Sequence, residues 1–199
     1  MAILAVTLTV AIALIGLSRP QSNAATSPRS SRPAPTTHPT GSAVAAAAQG
    51  LPRSAPVQIT VPAMKLVTGL RPLGLSADKR AMQLPTTDEA GWYTAGSTPG
   101  QPGPTIVVGY IADGHGPGVF AHLAELRTGE QILLRRTDGK VVVYQVDTIA
   151  SYPRGHFPSA EVYAVSSMPT LRVITTGGSL HRGDPPGNVV VFAHQIAVR

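Results

Sequence analysis

The pattern of apolar and polar positions divides the chain into three parts. Residues 2–17, AILAVTLTVAIALIGL, form an uncharged apolar run of 16. That is slightly short for a membrane-spanning helix and slightly long for a signal-peptide core. The run has no folded neighbour in the sequence to pack against, so it is expected to serve as an N-terminal anchor or signal segment (residues 1–17). A small-residue stretch, SNAA, follows at Ser22–Ala25 and suits cleavage, so an anchor and a cleaved signal both stay open. Residues 18–55 lose all periodicity. Segments such as SPRSSRPAPTTHPTGS cannot bury a core and predict a disordered or extended spacer.

From Pro56 onward the period is that of strands. VQITV (57–61) alternates, and PTIVVGY (104–110) is a continuous apolar run opened by proline. EQILLRR (130–136) and KVVVYQVDTI (140–149) flank TDG, a hairpin turn signal. LRVITT (171–176) and NVVVFAHQI (188–196) close the chain. Helical spacing is scarce, and GVFAHLAEL (118–126) predicts a short helix at best. Residues 56–199 therefore predict one all-β domain, a closed barrel or a sandwich. There is no internal repeat and no glycine-rich phosphate loop.

Composition removes several function classes. The chain has no cysteine, which excludes disulfides, thiolate nucleophiles and cysteine-based metal sites. The net charge of +6 is misleading as a nucleic-acid signal. Arg19, Arg29, Arg32 and Arg53 lie in residues 1–55, which hold no acid, while the domain sets 12 bases against 10 acids. No basic cluster interleaved with aromatics occurs in the domain, so no nucleic-acid partner is expected. No histidine pair has metal-ligand spacing, and neither metal nor cofactor is expected. His122 and His194 sit in apolar runs and are expected to be packing residues.

Candidate chemistry starts at LRVITTGGSL (171–180), where an apolar strand delivers Thr176 to a Gly-Gly turn. Taken with GWYTAGSTPGQPGPTIVVGY, GPGVFAHLAELRTGEQI, VDTIASYPRGHFPSAEVY and GNVVVFA, in that order, residues 56–196 resemble the class F sortases of actinobacteria. The resemblance implies a closed eight-stranded sortase-type β-barrel with one or two short helices. It implies a domain exported and anchored to the outer face of the cell membrane through residues 2–17. It also implies a partner that is an extended sorting-signal-like peptide, such as Leu-Pro-X-Thr-Gly, or a cell-surface protein carrying one. The family joins such signals to a cell-wall amine with a cysteine nucleophile, a histidine acid and base, and an arginine that steadies the oxyanion.

Matched motif by motif, the cysteine position is Thr176 in TTGG and the histidine position is Tyr110 in VVGYIAD. The aspartate that follows the family's histidine is replaced by Ala112. Arg182 in SLHRGDPPGN is the candidate for the arginine. These replacements change the chemistry. A threonine hydroxyl is nearly inert unless a base removes its proton, and a phenol with a pKa of about 10 is a poor base at neutral pH. Two readings follow from the residues. One is a domain that binds peptide or protein without catalysis, the site being a pseudoenzyme's. The other is an active transpeptidase or hydrolase in which His115 or His181, each five positions beyond a site residue, supplies a relocated base. A decaying paralogue is a third.

The apolar run and the spacer generate a first prediction. External protease added to intact cells should release a fragment beginning within residues 18–55. Cutting of that spacer only after lysis would contradict export.

Overall fold

The computed structural model describes residues 50–77, 81–113, 116–176 and 187–199. The strands are β1 (Pro56–Val61), β2 (Leu66–Leu73), β3 (Ala90–Tyr93), β4 (Gly103–Tyr110), β5 (Ala112–Asp113), β6 (Gly116–Pro117), β7 (Gln131–Arg136), β8 (Val141–Pro153), β9 (Pro169–Thr176) and β10 (Gly187–Val198). A four-residue helix, α1 (Ser159–Val162), lies between β8 and β9. Eight strands close into a barrel in the order β1-β2-β3-β4-β9-β10-β8-β7, and β5 with β6 makes a separate ribbon. The eight-stranded closed barrel is as the resemblance implied.

Closure follows from the sequence pattern. The long β8 and β10 pair antiparallel from Gly187↔Pro153 to Val198↔Val142, and TDG turns β7 into β8 with Gly139 at φ 83. Alternation along each strand sends one set of side chains inward, among them Ile59, Val61, Trp92, Val107, Ile132, Leu134, Val142, Tyr144, Val173 and Val191. Full burial of each such side chain is worth roughly 1.5–3 kcal/mol, so this interior cluster dominates the stability. Burial also pushes the Tyr144 phenol up to about 12, and its oxygen receives the Gly100 N–H at 3.4 Å.

β4, β9 and β10 are apolar on both faces. Ile106, Val108, Ile174 and Val190 point out of the barrel and form a second buried cluster with Leu73 and Val162. Partly buried Met82, Tyr93, Tyr152, Phe157, Tyr163 and Phe192 complete it. α1 lays Val162 on this outer face, while the tilted Phe157 and Tyr163 rings stand 6.3 Å apart.

Two strands of the barrel, β2 and β3, have no clear signal in the sequence. β2 carries Gly69 and Pro72, which break its alternation, and β3 is only four residues long. The expected helix over GVFAHLAEL shrinks to a 3-10 turn at Leu123–Glu125, because Phe120, Leu123 and Leu126 turn into the barrel mouth. His122, expected to pack, is exposed there and pairs with Glu125 at 2.7 Å.

The residues just before β1 are strapped to the barrel. Arg136, at the end of β7, is 1% exposed. Its guanidinium donates to the Pro52 carbonyl at 2.7 Å, to the Pro99 carbonyl, and through Nε and Nη2 to both oxygens of Asp138. A buried charge of this kind is tolerable only because each of its three nitrogens finds an acceptor. Replacing it by an apolar side chain of similar length leaves the Pro52 and Pro99 carbonyls without their donor, while the exposed Asp138 carboxylate turns to water. Arg136→Met should therefore cost about 2–4 kcal/mol. In urea it should lower the unfolding midpoint with little change in slope; a shift below about 0.5 kcal/mol would refute this account.

Candidate functional site

The parallel pair β4–β9 brings the two substituted positions together. Its register runs Gly103↔Pro169 through Val108↔Ile174 to Tyr110↔Thr176. Tyr110 and Thr176 share the outward parity of Val108 and Ile174, so both sit on the outer face at the edge of the second apolar cluster, and both are half-buried. Sixty-five intervening residues are thereby reduced to one cross-strand step. The ladder continues for one more bond, from the Ile111 N–H to the Thr176 carbonyl at 3.1 Å.

Two glycines fix the backbone at Tyr110. The Phe120 N–H donates to the Tyr110 carbonyl at 2.9 Å, and the Gly118 N–H to the Ile111 carbonyl at 2.6 Å. This folds GPGVF back onto the end of β4. A Cβ on Gly118 would strike the Tyr110 carbonyl and Cβ, and one on Gly109 would lie 2.5 Å from the Phe120 ring and 2.6 Å from Val119. The Tyr110 position is thus held by close packing of backbone, whatever its own side chain does.

The end of β9 is stapled to β10 by side chains. Thr175 is fully buried, and its Oγ1 accepts from the Val189 N–H at 2.8 Å. Asn188 donates from Nδ2 to the Thr175 carbonyl at 2.6 Å. Backbone pairing of β9 with β10 places Val190 opposite Ile174. Two residues further on, with the same outward parity, Asn188 falls on the row of Thr176. Asn188 was not singled out in the sequence; its place in the motif GNVVVFA, a polar residue at the start of β10, was the available signal.

The remaining predicted residues are not brought to this row. His115, His181 and Arg182 lie outside the described residues. β10 contains no arginine. On β9, Arg172 shares the outer face but precedes Thr176 by four residues, about 13 Å along a strand. Its guanidinium stacks on the Phe192 ring at 4.7 Å, and burial pushes its pKa down. That position is one of packing. His194 pairs through Nδ1 with Asp147 at 2.6 Å, a satisfied nitrogen as expected, on the opposite end of the sheet from Thr176. Among the described residues no group of three His, Asp or Glu side chains could hold a metal ion. No helix among them is long and apolar enough to cross a membrane.

The barrel order and this strand-end row define a sortase-type domain. A sequence model of the Sortase domain matches residues 59–196. The chain belongs to the sortase family. Solved structures agree in fold. Sortase C1 of Streptococcus agalactiae aligns with a TM-score of 0.55 at 17% identity, covering 71% of this chain and 67% of that one. Sortase A of Corynebacterium diphtheriae gives 0.55 at 15%, covering 73% and 62%. Sortase C of Streptococcus pneumoniae gives 0.52 at 19%, covering 70% and 65%. The chain spans about two-thirds of the length of these structures. No match to it is found among curated proteins.

The glycine contacts generate a prediction about the site. Gly109→Ala should displace Val119 and Phe120 and cost about 1–3 kcal/mol, the usual penalty for overpacking. Thermal unfolding of the variant checks it; an unchanged midpoint would mean that the GPGVF turn does not press on β4.

Proposed function

We propose that this chain is a class F sortase-like domain, exported and held at the outer membrane face, that binds an extended sorting-signal-like peptide or a surface protein carrying one, without cleaving it. One observation carries the reading: Tyr110 and Thr176 are direct partners in the β4–β9 register, on the outer face. On the class F resemblance these are the positions of the base and the nucleophile. A hydroxyl beside a phenol has neither an acidic proton nor a base to remove it, and losing both members of such a pair removes nearly all of the rate that the pair supplies. The backbone geometry of this strand-end row does not depend on these two side chains. It rests on the outer apolar cluster, the close approaches at Gly109 and Gly118, and the Asn188 staple. A site that keeps its shape and loses its reactive groups is suited to binding.

The test uses the full chain in detergent with a panel of Leu-Pro-X-Thr-Gly peptides, following binding and cleavage separately. The expected result is saturable binding of at least one peptide with no cleavage and no acylated protein. The double change Thr176→Cys with Tyr110→His should restore measurable transpeptidation, whereas Thr176→Cys alone should give little, a lone thiol being a few per cent ionised at neutral pH. Arg182→Ala in the restored protein should lower the rate on the order of a hundredfold or more, the cost of one oxyanion donor. Turnover by the unmodified chain that Thr176→Ala abolishes would overturn the non-catalytic reading and assign the base to His115 or His181. No binding of any peptide would overturn the binding reading.

A further inference from the structure

At the other end of β4 from Tyr110, the outer face holds a pocket of about 440 Å³. One wall is the β3–β4 connection, with Gly96, Ser97 and Pro102. The other is the segment after α1, with Tyr163, Val165 and Ser166. Tyr93, Pro104 and Ile106 also line it. Pro104 lies six residues before Tyr110, about 20 Å along the strand, so the pocket is separate from the Tyr110–Thr176 row.

Its lining is that of a proline-peptide site. Two tyrosines supply flat apolar walls tipped with hydroxyls. The Tyr163 phenol is pushed up, by burial first and by the neighbouring Tyr93 next, so its hydroxyl remains a donor. Val165, at the rim, is 96% exposed. Aromatic-lined grooves of this kind take polyproline II segments, whose carbonyls make no internal hydrogen bonds and whose chain is already extended, so little entropy is lost on docking.

The chain itself supplies such a segment. The strap before β1 is tied to the very wall of this pocket. Arg53 donates to the Thr94 carbonyl at 2.5 Å and to the Gly96 carbonyl at 3.1 Å. The Leu51 N–H donates to the Gly100 carbonyl at 2.8 Å. Gly50 sits against Pro102, its missing Cβ falling 2.6 Å from the Pro102 ring. The chain N-terminal to Gly50 thus departs beside a pocket-lining residue. Ten residues further back, after 40–49, stands the proline-rich stretch Pro33-Ala-Pro-Thr-Thr-His-Pro39. Ten linking residues span at most about 35 Å, and a short covalent tether raises the effective concentration toward millimolar. Even a weak contact is then well populated.

We propose that the pocket between the β3–β4 connection and the post-α1 segment docks the chain's own proline-rich tether, residues 33–39, with a proline ring of that stretch held between Tyr93 and Tyr163. Docking folds the tether back along the barrel and leaves the Tyr110–Thr176 end open. The inference is independent of whether that end binds a sorting signal.

The test is site-specific photo-crosslinking in the full chain, in detergent micelles, with benzoylphenylalanine replacing Val165. Exposure of Val165 makes this replacement harmless to the fold. The expected result is an intrachain crosslink from position 165 into residues 33–39, identified by mass spectrometry and independent of protein concentration. Replacing Pro33, Pro35 and Pro39 together by glycine should reduce it at least fivefold. That change lies outside the domain, and an unchanged melting temperature would verify that the barrel is intact. Crosslinks confined to residues 40–49, crosslinks between chains, crosslinks formed only to an added sorting-signal peptide, no crosslink, or a yield unaffected by the glycine replacements would each overturn the proposal.

Discussion

Everything at the candidate site depends on one pairing, the parallel ladder between β4 and β9. Parallel strands cannot be joined by a tight turn, so the chain must travel from Tyr110 to Pro169 before the two can meet. That long excursion contains β7, β8 and α1, and it closes the barrel on its way. The entropy of closing so long a loop is repaid only if the two strands bury apolar surface heavily once they arrive. They do so on both faces: Val107 and Val173 turn inward, while Ile106, Val108 and Ile174 lie under the outer cover. With both faces committed, slipping the register by one residue would exchange the two sets and lose both. The juxtaposition of Tyr110 with Thr176 is therefore a by-product of core packing.

The outer cover explains where an open site is possible. Over most of β4, β9 and β10 the outward side chains are buried beneath α1, the aromatic residues around it, and Met82. Cover ends at the C-terminal ends of β4 and β9, where Tyr110 and Thr176 are half-buried. At the other end the cover parts again between Tyr93 and Tyr163. Each gap is flanked by side-chain bonds to backbone, from Asn188 and Thr175 between β9 and β10 at one end and from Arg53 to the β3–β4 connection at the other. Such bonds hold carbonyls and N–H groups that no ladder satisfies, and so permit irregular backbone beside a barrel without leaving polar groups buried alone.

Much of this was legible in the sequence because strand period and burial coincide. VQITV, PTIVVGY, EQILLRR, KVVVYQVDTI, LRVITT and NVVVFAHQI each became a strand of the barrel, and TDG became its hairpin. The sortase family followed from motif order rather than from period, and the Sortase model over residues 59–196 bears out that coarser assignment. β2 and β3 were invisible because their stability comes from partners: Leu70–Leu73 align with Ala90–Tyr93 in parallel, and neither segment alternates by itself. The strap was equally hidden. Nothing in LPRSAP (51–56) announces order, since what orders it is Arg136, more than 80 residues away. Asn188 escaped notice for a related reason: a single polar residue at the start of a strand carries no signal until its acceptor, the Thr175 carbonyl, is known.

These facts bear on how a site of this type can change its chemistry without losing its shape. Reactive groups at strand ends contribute little to folding. At Tyr110 and Thr176 the fixed quantities are backbone positions, held by the Ile111 to Thr176 ladder bond, by Gly118 pressed on the Tyr110 carbonyl, and by Gly109 beneath Phe120. A substitution of either side chain leaves those contacts in place, so its cost to stability is small while its cost to catalysis is large. The glycines carry the opposite burden, since adding one methyl group at Gly118 would drive Cβ into the Tyr110 backbone and unseat the site whatever its side chains. On the proposed reading, then, the geometry persists because the barrel needs it, and the side chains at the row are the part that selection could vary freely.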